Sequence, residues 1–268
     1  YVSPQKLLKL LNKAKISISN DETRHYLNGI YLHKTKLENK SFLCGVATDS
    51  HRLSSSSLEI DPKINIEPII LPKKTIFQLI FLLEQSSSTI KISNNKSKIK
   101  FEINASVLIS KVIDGRFPDY SKVIPKNNDK ILQIKLDEFR NSIERVATVS
   151  SDRTKGLKMT ISKDGVQLSV NNPNSGEGIE NINAKFNSND LNISFNSRYL
   201  TDIASQIENE FIVINLKDAN SPVLINDFSD KNSFYVVMPM KIWFILQKDD
   251  IRLLLFFSLS NHLIPMKI

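Results

Sequence analysis

Thr48, Asp49, Ser50 and His51 bring a hydroxyl, a carboxylate and an imidazole into one short stretch, the groups that nucleophilic acyl transfer would need. Their adjacency argues against that use. Successive side chains on extended backbone point to opposite faces, whereas a nucleophile, its base and an orienting acid must converge through hydrogen bonds. His51 therefore reads as a packed residue or one at the rim of a pocket. Cys44, the single cysteine, lies in the apolar run Phe42-Leu-Cys44, which suits a buried, inert thiol and excludes an internal disulfide or a cysteine-based zinc site. It is compatible with a reducing compartment. The histidines at 25, 33, 51 and 262 lack helical metal spacing with a carboxylate, and the seven glycines form neither a P-loop nor a dinucleotide fingerprint. No catalytic residue, metal or cofactor is expected.

Four helical patterns must position whatever chemistry the chain has. The first starts with Ser3 as cap and Pro4 at the first helical position, with Leu7, Leu8, Leu11 and Ala14 as its inner stripe and Lys6, Lys9 and Lys13 on another face. The second follows Pro72, with Ile76, Leu79, Ile80 and Leu83 inward and Lys73, Lys74 and Gln78 at its polar start. The third turns Phe139, Ile143, Val146 and Ala147 inward. The fourth opens at Asn196 or Ser197 and buries Leu200, Ile203, Ala204 and Ile207. Between them the chain alternates with the period of β-strands, as in Thr89–Ser93, Lys98–Ile103 and Phe211–Asn215. The first and third helices, and nearly the second and fourth, are separated by the same interval, which predicts two copies of one α+β unit. Each copy is expected to be an antiparallel sheet covered by two helices, with the polar stretch around Pro125-Lys-Asn-Asn-Asp129 at the boundary.

Charge is distributed unequally between the copies. Residues 1–123 hold 19 Lys/Arg against 11 Asp/Glu, for +8; residues 124–242 hold 14 against 15, for −1; residues 243–268 contribute +1. A basic first half favours a polyanionic partner, because phosphate neutralisation releases counterions. The same lysine stripes are also what the solvated side of an amphipathic helix looks like. The apolar run Leu253–Phe257 is too short to cross a bilayer, and no targeting segment is visible.

Three separated motifs, Ala47-Thr-Asp-Ser-His-Arg-Leu53, Ile113-Asp-Gly-Arg-Phe-Pro-Asp-Tyr120 and Val236-Val-Met-Pro-Met-Lys-Ile242, give the chain its resemblance to the bacterial DNA polymerase III beta subunit, the processivity sliding clamp. The resemblance covers 1–242 and implies a DNA clamp fold of class α+β. Residues 1–123 correspond to the family's central domain, 124–242 to its C-terminal domain, and 243–268 to an atypical tail. The family's first domain has no counterpart here, so a fragment, a truncated product or a diverged relative is expected. Family members are homodimeric rings around duplex DNA, without an active site, and are cytoplasmic.

The resemblance also implies two sets of site residues. Duplex DNA would meet Arg24, His25 and Tyr26 in the loop Asp21–Leu27, together with Lys6, Lys9, Lys13, Lys73 and Lys74 on exposed helical faces, through phosphate contacts that position without reading bases. A peptide groove between the domains would be lined by Leu27, Leu53, Val123, Val236, Val237, Met238, Pro239 and Met240, bordered by Thr48, His51, Arg52, Pro118 and Lys122, and approached by Asn196 and Tyr199. It would dock the polymerase III catalytic subunit, the clamp loader and other proteins carrying a clamp-binding motif. Ser50 replaces a usual glycine and Lys122 a frequent arginine, which alters a turn and removes two-pronged hydrogen bonding. Two functional readings follow: a processivity factor that encircles or tethers to DNA, or an interaction module that keeps the groove but closes no ring. Three two-domain chains closing a ring is the disfavoured alternative to a monomer. The tail is either an extension from a shifted frame or a segment that occupies the chain's own groove.

Overall fold

The computed structural model describes residues 1–150 and 155–240. The expectations for Trp243–Ile268 lie outside them.

Pro4 has a fixed φ and no N–H, which suits a first helical position, and α1 runs over Pro4–Lys15. Its inner stripe is Leu7, Leu10, Leu11 and Ala14; Leu8 is only half-buried. Ser3 has the backbone of a cap, but its hydroxyl donates to Gln5 Oε1 and makes no cap bond. Helix α2 (Lys73–Glu84) starts after Pro72 and buries Ile76, Leu79, Ile80 and Leu83. Helix α3 (Leu136–Ala147) buries Phe139, Ile143 and Val146, with Asp137 and Glu138 in its first turn and Arg145 in its last, the signs that complement the helix dipole. In α4 (Ser197–Ala204) the Asn196 side chain caps the helix by accepting the Arg198 N–H.

Strands β1 (Gly29–Leu37), β2 (Lys40–Thr48), β3 (Arg52–Ile60) and β4 (Ile69–Pro72) separate α1 from α2, and β5 (Lys91–Asn94), β6 (Lys98–Ile103) and β7 (Ser106–Lys111) follow α2. After β8 (Lys130–Lys135) and α3 the pattern recurs as β9 (Gly156–Ser162), β10 (Gly165–Asn172), β11 (Gly176–Ile182), β12 (Ala184–Phe186) and β13 (Leu191–Asn196). Past α4 come β14 (Phe211–Leu216), β15 (Val223–Asp227) and β16 (Asp230–Val237). Short 3-10 segments cover Glu22–Leu27, which kinks at Arg24, and Tyr120–Val123.

The expectation of one sheet per copy is too simple. One nine-stranded sheet, ordered β12-β8-β14-β15-β16-β3-β2-β1-β4, runs through both copies, and each copy adds its own smaller sheet, β5-β6-β7 in the first and β11-β10-β9-β13 in the second. The physical reason is edge satisfaction: β16 and β3 pair antiparallel and so cover each other's open hydrogen-bonding groups. Strands such as β9 and β10 alternate buried with less buried residues, the period-2 pattern of a sheet with one face on the core. Two main cores result, one with Leu7, Leu43, Leu79 and Phe101, the other with Phe139, Met159, Phe195 and Ile214. Truncating Phe101 or Phe139 to alanine costs about 3–5 kcal/mol. Among the described residues no helix is long and apolar enough to cross a membrane.

Candidate functional site

The junction of the two copies is organised by the β16–β3 register, which sets Val236 opposite Leu53 and Val237 opposite Arg52. Leu53 and Val236 share a face and join Leu27, Val46, Ile70 and Phe117 in a third buried cluster. Val237, one residue on, turns to the other face and lies in the core of the second copy. Its expected place in the groove lining is therefore corrected. Leu27, Leu53 and Val236 are themselves buried, so they form a floor and not an open wall. Accessible apolar surface comes from Val123 and Met238, 48% and 41% exposed, with Pro239 and Met240 half-buried.

Backbone hydrogen bonds fix the Met-Pro-Met segment against both copies. The Met238 N–H donates to His51 O at 2.8 Å, and the Met240 N–H to Ser194 O, at the end of β13, at 2.7 Å. Arg52 is buried at the junction: its Nε donates to Asp49 Oδ2 at 3.1 Å and its Nη1 to Asp202 Oδ2 at 2.7 Å, while its guanidinium lies 4.3 Å from the Tyr199 ring centre. Burial raises the Tyr199 phenol above its ordinary pKa. Arg52 thus ties the first copy to α4, the helix that Asn196 caps. Asp49, Asp202 and Ser194 were not anticipated; Asp49 alone had a signal, in the Thr48–Arg52 motif.

The hydroxyl–carboxylate–imidazole stretch builds a turn. Thr48 Oγ1 donates to Arg52 O and accepts the Ser50 N–H, and Asp49 Oδ1 accepts the N–H groups of both His51 and Arg52. Thr48 ends β2, Asp49, Ser50 and His51 form the turn into β3, and His51 is exposed. Ser50 adopts φ 78°, the left-handed conformation that glycine takes without strain. Burial pushes the Cys44 thiol up to about 11, so it stays protonated at neutral pH.

The opposite rim is the segment after β7. The Phe117 ring stacks on Tyr31 with centres 4.9 Å apart, Tyr31 stacks on His33, and His33 Nε2 hydrogen-bonds the Tyr120 hydroxyl at 2.9 Å. Burial lifts the Tyr120 pKa to about 12. Gly115 passes close to the loop before β1, where a Cβ would come within 3.0 Å of Tyr26 Cβ. Pro118 and Lys122 are exposed, and Lys122 reaches Asp119 at 3.5 Å.

Of the expected DNA-facing residues, Arg24, His25 and Tyr26 lie in the 3-10 turn that adjoins this junction. Arg24 Nη1 donates to Ser50 Oγ at 2.6 Å and its Nε to Asp21 Oδ2 at 2.7 Å. The Thr23 hydroxyl and then Arg24 hold the Asp21 carboxyl down at about 2. His25 Nε2 bonds Asp114 O, and Tyr26 is half-buried against the third cluster. Lys6 and Lys74 are exposed, and Lys73 Nζ donates to Asn20 Oδ1. Lys13 is corrected: it is 2% exposed, with Nζ 2.8 Å from Asp230 Oδ2, 3.6 Å from Glu208 and 3.8 Å from Asp227. Lys9, though exposed, pairs with Glu208 at 2.8 Å and Asp230 at 3.4 Å. The helical spacing that put both lysines on one face was right, but that face meets the acidic β15–β16 turn of the second copy.

Two repeated α+β units sharing one sheet across their junction, each with two packed helices, define a clamp-type architecture. The DNA polymerase III beta subunit central-domain model matches residues 1–119 and the C-terminal-domain model residues 121–241. The chain is 36% identical over 242 residues to the beta sliding clamp of Caulobacter vibrioides, covering 90% of this chain and 65% of that protein. It is 30% identical to the Escherichia coli K12 clamp over 243 residues, with 90% and 65% covered. The crystal structure of a sliding clamp from Bartonella birtlesii bound to griselimycin superposes with a TM-score of 0.87 at 39% identity, over 90% of this chain and 65% of that one. The chain belongs to the DNA polymerase III beta subunit family, and it spans about 65% of the length of these relatives.

Proposed function

We propose that the chain is a non-enzymatic DNA-tethering subunit of bacterial replication, working in the cytoplasm, that docks the polymerase III catalytic subunit, the clamp loader and other motif-bearing partners at the junction of its two domains, residues 1–123 and 124–242. One observation supports this reading: at the junction Arg52 of the first domain lies against Tyr199 of the second, and the Met238 and Met240 N–H groups bond His51 O and Ser194 O, next to the strand pair that carries the buried Leu53 and Val236. Exposed and half-buried thioethers beside fixed polar anchors suit short peptides of varied shape. Arg24, Lys6, Lys73 and Lys74 supply the positive surface for duplex phosphate.

A second reading, an interaction module that keeps the groove and does not encircle DNA, is favoured by the engagement of Lys9 and Lys13 in the domain junction. Calorimetric titration with a clamp-binding-motif peptide tests the groove. Met240→Ala is expected to weaken binding by at least about tenfold, roughly 1.4 kcal/mol; identical curves for Met240→Ala, Met238→Ala and the parent chain would remove the groove from the proposal. Retention on nicked circular DNA in high salt, lost when the circle is cut, separates encirclement from the second reading.

A further inference from the structure

The helix pair of the first copy carries two aromatic side chains that its packing does not use. On α2, Phe77 and Phe81 lie one turn apart and are 49% and 55% exposed, while Ile76, Leu79, Ile80 and Leu83 make the buried stripe. The repeat supplies an internal comparison. Leu200, Ile203, Ala204 and Ile207 are buried at the same spacing in and just past α4, which sets Phe77 against Thr201 and Phe81 against Ser205. The second copy folds with hydroxyl side chains where the first has phenylalanines, so the architecture itself does not require the rings.

Charge around the rings selects the ligand. Helix α1 contributes four lysines and no acid, and α2 two lysines and a single carboxylate, Glu84, at its last residue. In the second copy α3 carries three acids against two arginines, and α4 one of each. Lys15 Nζ lies 5.9 Å from the centre of the Phe77 ring and donates to Asn12 Oδ1 at 2.6 Å. The exposed Lys74 stands three residues before Phe77, on the same side of α2.

A surface that interleaves bare aromatic rings with ammonium groups suits a strand that offers both accessible base faces and phosphates. Duplex DNA offers the phosphates alone, since its bases are already stacked on one another, and lysines without rings would serve it.

We propose that the exposed face of the α1–α2 pair is a site for single-stranded DNA, with Phe77 and Phe81 stacking on unpaired bases and Lys15 and Lys74 on the phosphates beside them. The inference rests on the DNA-tethering reading and specifies the form of DNA that this face takes.

Fluorescence anisotropy of the 268-residue chain with a labelled oligothymidine, and with a duplex of the same length, tests it. The single strand is expected to bind more tightly than the duplex at equal salt. Phe77→Ala and Phe81→Ala each weaken single-strand binding by about tenfold and leave duplex binding unchanged. Phe77→Tyr keeps single-strand binding, and Phe77→Leu, apolar but not aromatic, does not. Lys74→Gln weakens binding of both forms. Because both rings are exposed, the alanine variants keep the circular-dichroism melt of the parent. Single-strand affinity indifferent to either alanine variant, an equal loss on both forms of DNA, full rescue by leucine, or self-association that Phe81→Ala abolishes would each overturn the proposal. Duplex binding that persists without a preference for the single strand overturns this inference alone, whereas a chain that binds neither form overturns the tethering reading with it.

Discussion

Ser50 concentrates several roles in one side chain. Its φ of 78° places a Cβ in the left-handed region, at a cost of about 1 kcal/mol, while its hydroxyl accepts the Arg24 Nη1 bond. An exposed hydrogen bond of this kind offsets only part of that strain. Ser50→Gly is therefore expected to leave stability unchanged or raise it by up to about 1 kcal/mol, and Ser50→Val, β-branched, to lower it by about 1–2 kcal/mol. Urea denaturation midpoints of the two variants check the order; a more stable valine variant would contradict the backbone account.

At the scale of elements, the ionic contact between α1 and the β15–β16 turn governs how firmly the copies adhere. Lys13 sits with Asp227 and Asp230 in a nearly dry environment, so Lys13→Ala removes the buried cation and leaves Asp230 with the half-exposed Lys9 as its remaining ion pair, at an expected cost of about 3 kcal/mol. Burial alone would raise the Asp230 pKa, but the Lys13 hydrogen bond and charge and the Asn232 N–H outweigh it and hold it below the ordinary value; Asp227 is depressed likewise, against its own burial, chiefly by Ser229 and the Glu208 N–H. Because the folded pKa values are depressed, the stability they contribute is present above the unfolded value of about 3.9 and is lost as pH falls through the folded values. Lys9 shifts oppositely: burial opposes its charge, but Glu208 and Asp230 raise its pKa, so its contribution holds below its ordinary value and is lost as pH rises through the folded one. Melting temperature is expected to fall on acidification below about pH 4, less steeply in Asp230→Asn; equal slopes for that variant and the parent would refute the assignment.

For the whole molecule, the +8 of residues 1–123 overstates the surface available to DNA. With Lys9 and Lys13 paired inside the chain, the proposed phosphate contacts reduce to Lys6, Lys73, Lys74 and Arg24. Four such contacts predict a slope of roughly −3 to −4 in log affinity against log salt on linear duplex. Fluorescence anisotropy at several salt concentrations measures it. Lys9→Gln is expected to leave the slope unchanged, whereas Lys74→Gln reduces it by about 1.

Local pattern determined a good deal here. Helical spacing and the Pro4 and Pro72 starts located all four helices, because apolar periodicity and a proline-fixed φ act within a single turn; Lys98–Ile103 emerged as β6 because period-2 alternation is equally local. The recurrence of those signals revealed a repeated α+β unit, and the three motifs carried the family resemblance. Tertiary structure alone decided which faces meet. Nothing in the spacing of Lys9 and Lys13 distinguishes a solvated face from one that docks on Asp227 and Asp230 more than two hundred residues away, since burial of a charge depends on partners brought by the fold. Val237 left the groove for the core because the β16–β3 register, set by pairing between copies, assigns alternate residues to opposite faces. Arg52 acquired Asp202 and Tyr199 from the second copy for the same reason: a junction between repeats is specified by strand pairing across the chain, which no local window of sequence contains.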